Sequence, residues 1–256
     1  MKIGVFDSGV GGLTVLKALI RLYPQVDFAY LGDTARVPYG DKSAQTVIRY
    51  SLECADFLLG EGIELLVVAC NTASSYALNV LKEHLSIPVF GVIEPGVRRA
   101  LRTTQRGRIG VIGTRATVSS GVYKRLLEAN GVEVFQKACP LFVPLVEEGI
   151  LQGNIAKEVV RYYLSELKDR NIDTLILGCT HYPLLRPVIE EFMGRSVSVV
   201  DSAESLALEI GSYVENSGSS TLNLFFTDRS PGLDALIELI LGKSVDYKLL
   251  TLSCKL

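Results

Sequence analysis

The chain has 256 residues, of which 48% are hydrophobic and 21% charged, so it can bury a substantial core and does not have the composition of a disordered chain. Its 26 basic and 28 acidic residues nearly cancel, which argues against nucleic-acid binding, because that needs a basic face to neutralise phosphates. We see no signal peptide and no apolar run near the roughly 20 residues that span a bilayer, so we expect no membrane association and a cytoplasmic location.

Short apolar runs alternate with amphipathic segments along the chain. The runs predict buried strands at residues 3–6, 28–31, 65–69, 89–92, 109–112, 132–135, 174–177 and 197–200. Helical spacing predicts helices at residues 13–22, 46–59, 74–84, 117–129, 155–169 and 184–192. This alternation predicts an α/β protein whose parallel sheets are covered by helices on both faces, as in doubly wound folds.

An internal repeat predicts two similar α/β units. The tripeptide IGV at residues 3–5 recurs at 109–111, and LVVACNT at 66–72 is echoed by LILGCTH at 175–181. The two offsets are nearly equal and the order is kept, which is the signature of a duplicated unit. The basic stretch at 98–108 lies where the first unit would hand over to the second.

The part of the chain after residue 203 does not fit a third unit. Its pattern predicts a helix, a polar break, a strand, a second helix and a final strand, the first four at residues 206–214, 216–220, 222–226 and 233–241. The pattern alone does not assign these elements to either unit.

The cysteines disfavour a metal or dithiol redox centre. There are five, with no Cys-x-x-Cys spacing, and only two histidines, so neither a zinc site nor a thioredoxin-like motif is expected. Cys54, Cys139 and Cys254 have ordinary surroundings and are interpreted as structural free thiols.

Three polar motifs follow predicted strands, where ligands bind in open α/β sheets. The first, DSGVGG at residues 7–12, is either an anion-binding turn or a structural turn; no nucleotide-binding signature accompanies it. The other two place Cys70 and Cys179 between a strand and polar residues at a helix start, where the helix dipole favours a thiolate. His181 is either a proton partner of Cys179 or a simple helix cap.

Matched cysteines in duplicated units can flank one ligand from opposite faces. Two bases on opposite sides of a carbon can invert a stereocentre, because one removes the Cα proton and the other delivers a proton to the opposite face. An unperturbed thiol, with a pKa of about 8.5, is mostly protonated at neutral pH, so each cysteine needs an assisting group. Asp7 and His181 are the natural candidates, one for each side.

Five motifs in order resemble the bacterial glutamate racemase branch of the aspartate/glutamate racemase family. They cover the chain from residue 1 to about 205 and are DSGVGG at 7–12, RVPYG at 36–40, ACNTAS at 69–74, GVIEP at 91–95 and GCTHYP at 178–183. The resemblance implies two pseudo-twofold-related domains with the active site between them, at residues 1–97 plus 206–256 and at 98–205. It also implies cofactor-independent, metal-free interconversion of L- and D-glutamate, supplying D-glutamate for peptidoglycan. We expect a homodimer.

The resemblance also implies residue roles. Cys70 would act on the D-enantiomer with support from Asp7, and Cys179 on the L-enantiomer with support from His181 and Glu147. The implied substrate contacts are Asp7, Ser8, Tyr39, Gly40, Asn71, Thr72, Thr114, Thr117, Thr180 and His181.

Other functions remain open at this point. A related two-thiol racemase could act on aspartate or another amino acid, and a ligand-binding or regulatory protein could keep the fold without catalysis. A thiol–disulfide oxidoreductase is disfavoured by the wide separation of Cys70 and Cys179 in the sequence.

Overall fold

A computed structural model describes residues 1–215 and 217–252, which form two parallel β-sheets with flanking helices. The predicted α/β class is therefore confirmed. The strands are β1 (Lys2–Asp7), β2 (Asp27–Gly32), β3 (Leu65–Val68), β4 (Val89–Gly91), β5 (Arg108–Gly113), β6 (Glu133–Ala138), β7 (Thr174–Gly178), β8 (Ser198–Val200), β9 (Leu222–Phe226) and β10 (Tyr247–Leu249).

Twelve α-helices are present in the described residues. They are α1 (Leu13–Leu22), α2 (Ala44–Gly60), α3 (Asn71–Tyr76), α4 (Leu78–His84), α5 (Ile93–Thr103), α6 (Arg115–Ser119), α7 (Val122–Glu128), α8 (Phe142–Glu147), α9 (Gly153–Asp169), α10 (Arg186–Met193), α11 (Ala203–Glu209) and α12 (Leu233–Leu241). No helix in the described part of the chain is long and apolar enough to cross a membrane.

The two sheets share a four-strand arrangement. The first sheet has the order β10-β9-β2-β1-β3-β4 and the second has β6-β5-β7-β8, so β2-β1-β3-β4 corresponds to β6-β5-β7-β8. Every strand pair in both sheets is parallel. The late strands β9 and β10 extend the first sheet beside β2, which gives the C-terminal strands a place that the sequence pattern left open.

The repeated IGV tripeptide has a packing explanation. Gly4 in β1 lies under Ile63, and Gly110 in β5 lies under Ile172; in each case an added Cβ would stand 2.6 Å from the isoleucine Cδ1. Both isoleucines come shortly before the neighbouring strand, β3 or β7. The same glycine–isoleucine contact in both sheets therefore supports a duplicated unit at the level of atoms.

The strands are apolar throughout because both faces of each sheet are covered. In β3, Leu65 and Val67 belong to one buried cluster, while Leu66 and Val68 belong to another on the opposite face, and all four are fully buried. Alternate side chains of a strand point to opposite faces, so a sheet sandwiched between helices needs apolar residues at every position.

Several predicted helices differ from the observed ones. The segment predicted as one helix at 74–84 is two helices, α3 and α4, that meet at Ala77. The segment predicted at 117–129 is also two, α6 and α7, separated at Gly121, whose φ of +66° is a left-handed conformation that suits glycine.

Two helices were not predicted. The stretch at 98–108 was interpreted as a hand-over between units, but α5 runs through its first half and packs against β7 and α7. The short helix α8 was also missed. The domain bounds at 97/98 and 205/206 stay a prediction. Asn216, in the predicted polar break, and Cys254 lie outside the described residues.

Candidate active site

A narrow cleft lies between the two sheets, at the carboxyl ends of β1, β3, β5 and β7. Its volume is about 330 Å³ including its mouth. It is lined by Ser8, Val37, Pro38, Tyr39, Gly40, Cys70, Asn71, Thr72, Thr114, Val143, Cys179, Thr180 and His181. Both matched cysteines and eight of the predicted substrate contacts are therefore brought together, while Asp7 and Thr117 lie behind the cleft wall and Glu147 lines a neighbouring cavity.

Cys70 stands at the N-cap of α3, directly after β3. Its Sγ accepts from the backbone N–H of Ala73 and donates to Ser8 Oγ, both at 3.5 Å. Burial, together with the nearby Asp7 carboxylate, raises the pKa of the Cys70 thiol to about 12. At neutral pH Cys70 is therefore a thiol, a proton donor at rest.

Asp7, the last residue of β1, is fully buried behind Ser8. Its carboxylate accepts from the backbone N–H of Gly9 at 3.0 Å and from Thr180 Oγ1 at 3.2 Å. Burial raises the pKa of this carboxyl, and the charge on His181 and these hydrogen bonds partly offset the rise. Asp7 thus comes from the Cys70 half but also contacts the motif that carries Cys179.

Cys179 follows β7 in the second half and lies 3.9 Å from His181 Nδ1. His181 is 3% exposed, and its other nitrogen, Nε2, lies 3.4 Å from Glu147 Oε1. That contact is an ion pair without hydrogen-bond alignment, because Nε2 has no aligned partner among the described residues. Cys179, His181 and Glu147 therefore form a line running from the cleft outward to a half-exposed carboxylate.

The His181 ring is held in its charged form. Burial alone would lower its pKa, but the contacts with Cys179 and Glu147 outweigh that effect and raise the pKa to about 10. A protonated imidazole beside a thiol stabilises the thiolate, as in other cysteine–histidine pairs. The second side of the cleft therefore places a charged imidazolium beside the Cys179 sulfur.

Three threonine hydroxyls join the two halves at the far wall. Thr72 Oγ1 lies 2.9 Å from Thr114 Oγ1 and 3.1 Å from Thr117 Oγ1, and Thr114 donates to Thr117 at 3.0 Å. Thr72 belongs to α3, whereas Thr114 caps the N-terminus of α6. Hydroxyls and helix N-terminal N–H groups are donors of the kind that can bind a carboxylate.

Tyr39 and Gly40 close the cleft from the loop between β2 and α2, in which Tyr39–Asp41 forms a short 3₁₀ helix. The Tyr39 hydroxyl donates to Asp33 at 2.5 Å, so it is already engaged in the protein interior. A Cβ on Gly40 would lie 2.5 Å from Thr114 Cβ, so glycine lets this loop approach the second half closely.

Several cleft residues were not singled out from the sequence. Val37 and Pro38 lie within the RVPYG motif and could have been inferred from their neighbours, but Val143, in the unpredicted helix α8, had no such signal. No lysine or arginine is among the lining residues, so the donors available to an anion are hydroxyls, amides and the His181 imidazolium.

A metal site is not built from the described residues, in which no three His, Cys, Asp or Glu side chains gather as ligands would. The groups present suit acid–base chemistry instead: a thiol on one wall, a thiol paired with an imidazolium on the other, and neutral donors between them.

Comparison with known proteins identifies the family. Residues 3–210 match the Asp/Glu/Hydantoin racemase family. The chain is 61% identical to the glutamate racemase of Aquifex pyrophilus over 97% of each sequence, and superposes on that enzyme's solved structure with a TM-score of 0.86, covering 97% of this chain and 98% of the other.

Two further solved structures agree. A glutamate racemase isoform of Bacillus anthracis is 38% identical with a TM-score of 0.93, over 98% of this chain and 97% of the other. The glutamate racemase of Francisella tularensis, solved with D-glutamate, is 34% identical with a TM-score of 0.89 over the same shares. Together with the paired cysteines, these matches show that the chain belongs to the Asp/Glu/Hydantoin racemase family.

Proposed function

We propose that the protein interconverts L- and D-glutamate by a two-base mechanism in which Cys70 and Cys179 are the bases. The observation that carries the proposal is that both thiols line one narrow cleft from opposite halves of the molecule. The relatives named glutamate racemase, similar over nearly the whole chain, support glutamate as the substrate.

In the direction from L to D, the Cys179 thiolate removes the Cα proton. The Cys70 thiol then delivers its own proton to the opposite face, so one proton leaves the substrate and another enters. In the reverse direction Cys70, as thiolate, removes the proton and Cys179 delivers one. In each direction one cysteine must start as a thiolate and the other as a thiol. The two thiols have different surroundings, which supports such unequal protonation.

Asp7 and His181 assist these transfers. His181, with Glu147 behind it, stabilises the Cys179 thiolate. Asp7 lies near Cys70, where its carboxylate takes up the proton when that thiol must become a thiolate. The raised pKa of Asp7 makes it a better proton acceptor than an exposed aspartate.

Neutral donors bind the substrate carboxylates and stabilise the developing negative charge at Cα. The candidates are the hydroxyls of Ser8, Thr72, Thr114 and Thr180, the amides of Gly40 and Asn71, and the N-termini of α3 and α6. Thr117 holds Thr72 and Thr114 in place from behind. Fixed dipoles in a cleft that excludes water stabilise a carbanionic transition state without a cofactor.

We further propose that the enzyme works in the cytoplasm as a homodimer and supplies D-glutamate for peptidoglycan. The proposed domains, 1–97 plus 206–256 and 98–205, would close on the substrate, since the cleft lies between them. The sharing of hydroxyl contacts between α3 and α6 supports such a closed arrangement.

A racemisation assay tests the function. The purified protein, dialysed against a chelator and free of pyridoxal absorbance, is incubated with each enantiomer of glutamate and of aspartate, and optical rotation is followed. We expect both glutamate enantiomers to reach the same racemic end point. Faster turnover of aspartate than of glutamate would show that the protein is a related two-thiol racemase acting on aspartate. No turnover of any amino acid would favour a binding or regulatory protein.

A further inference from the structure

Tyr123 connects the surroundings of the two cysteines. It lies on α7 in the second half and is fully buried. Its ring lies beneath the end of β7, where a Cβ on Gly178, the residue before Cys179, would stand 3.3 Å from Tyr123 Cε2. Its hydroxyl donates to Asn71 Oδ1 at 2.6 Å, and Asn71 directly follows Cys70 in the first half.

This hydrogen bond determines which way the Asn71 amide points. The Tyr123 hydroxyl makes no other hydrogen bond within residues 1–215 and 217–252, so its buried proton is satisfied only if Oδ1 faces it. Burial also raises the pKa of this hydroxyl, so it stays protonated and able to donate. With Oδ1 fixed towards Tyr123, Nδ2 is turned away from the tyrosine.

Asn71 lines the cleft, and Nδ2 has no hydrogen-bond partner in the described part of the chain. An amide NH₂ that faces an anionic substrate donates to it, whereas the flipped amide would present a carbonyl oxygen and repel it. The orientation matters here because no lysine or arginine lines the cleft.

We propose that Tyr123 is a positioning residue that holds the Asn71 amide with its NH₂ group towards a carboxylate of the substrate. The inference deepens the proposed racemase function and rests on it. Tyr123 itself does not line the cleft and acts through Asn71.

The direct test is Tyr123→Phe, which keeps the ring in its packed position and removes only the hydroxyl. The amide can then rotate, so we expect KM for both glutamate enantiomers to rise about tenfold, with kcat changed much less, because the carboxylate contact exists in the ground state and in the transition state alike. Tyr76→Phe is the matched control. Tyr76 lies on α3 and also donates across the two halves, to the backbone carbonyl of Ala116 at 2.9 Å. Because this hydrogen bond does not involve Asn71, removal of the Tyr76 hydroxyl should leave KM within twofold.

A double-mutant cycle separates positioning from general destabilisation. In an Asn71→Ala background, Tyr123→Phe should raise KM less than twofold further, because there is no amide left to orient. Asn71→Asp provides a second test, of whether the substrate needs the NH₂ donor. It keeps an acceptor for Tyr123 but replaces the NH₂ donor with an oxygen, so its KM should exceed that of Asn71→Ala.

The outcomes are distinct. Suppose that the wild-type protein racemises glutamate but Tyr123→Phe leaves KM unchanged, or raises KM tenfold in both the wild-type and the Asn71→Ala backgrounds. Either result would overturn the inference and leave the racemase function standing. A wild-type protein that does not racemise glutamate would overturn the function and the inference with it. A KM rise that appears only when Asn71 is present supports both.

Discussion

The Cys70 and Cys179 sides of the cleft share one backbone frame but differ in charge. Each cysteine follows the strand that pairs with the first strand of its sheet in the chain, β3 beside β1 and β7 beside β5. Cys70 donates to a serine hydroxyl and has a buried carboxylate nearby. Cys179 lies beside an imidazolium that contacts a second carboxylate. The two strand ends thus supply matched positions, and different neighbouring groups surround each cysteine.

Under the proposed mechanism, this difference would let one site act on both enantiomers without two identical bases. A carboxylate near a thiol keeps that thiol protonated, while an imidazolium near a thiol favours the thiolate. The surroundings of Cys70 raise the pKa of its thiol, whereas Cys179 lies beside a charged imidazole. The two halves are not independent, because Thr180, next to Cys179, donates to Asp7 on the Cys70 side.

The largest effect should come from removing either base. Cys70→Ala and Cys179→Ala should each lower kcat/KM by about 10⁴-fold, because a positioned proton-transfer group contributes up to that factor. Polarimetry of the two purified variants measures this loss. Cys139→Ala is the control: this thiol is also buried, but it does not line the cleft, so turnover should stay near that of the wild type. Racemisation at the normal rate by either active-site variant contradicts the two-base account.

Removal of the assisting groups should have the next largest effect. Asp7→Asn and His181→Asn should each lower kcat/KM by about 10²-fold, equally in both directions because the equilibrium constant between enantiomers is one. The asymmetry should appear in primary isotope effects with Cα-deuterated substrates. Asp7→Asn should raise the effect mainly with D-glutamate, and His181→Asn mainly with L-glutamate. Equal isotope effects in both variants would show that the two residues serve the site jointly, as the Thr180–Asp7 hydrogen bond allows.

The contact between the halves can be altered without replacing a titratable residue. A Cβ on Gly11 would lie 2.4 Å from Thr180 Oγ1 and 2.6 Å from His181 Nδ1. Gly11→Ala should displace the side chains of Thr180 and His181 and lower kcat/KM about tenfold. Gly9→Ala is the matched control, since its Cβ would meet only Val37 Cγ2 at 3.7 Å, an ordinary contact. Similar activities for the two variants would mean that the position of His181 is not critical.

The smallest change expected is a shift in pH profile. The pKa of His181 is raised to about 10, so kcat/KM should fall as the pH rises through that value and the Cys179–His181 pair loses its proton. Glu147 contributes to the raised value, so in Glu147→Gln the alkaline limb should move to lower pH, with little change at neutral pH. An alkaline limb that does not move would show that Glu147 has no electrostatic role.

The sequence predicted much of the fold because its signals are local. The β1 and β5 tripeptides, the two strand–cysteine junctions and the continuous apolar runs all depend on near neighbours in the chain. Helix α5 was missed although Ile93, Val97 and Ala100 have helical spacing and are buried, because Pro95, Gly96 and three arginines obscure the pattern. The missed helix therefore had a readable signal that composition masked.

The parts of the site that could not be predicted depend on contacts between distant residues. Nothing near Tyr123 in the sequence indicates that its hydroxyl reaches Asn71, and nothing near Asp7 indicates a bond to Thr180. Likewise, the hydroxyl cluster of Thr72, Thr114 and Thr117 forms only when the two sheets face each other. Motifs identified which residues gather in the cleft, and only the tertiary structure shows how they are connected.

The most direct test of the two-base account is proton exchange at Cα in D₂O. Each glutamate enantiomer is incubated with the wild-type protein, and deuterium at Cα is measured in both enantiomers at low conversion. Because the thiol that delivers the proton is not the one that removed it, the product should carry one deuterium while the recovered substrate stays protiated. Deuterium that accumulates in the recovered substrate as fast as in the product, or a product that keeps the original proton, would contradict two opposed cysteine bases.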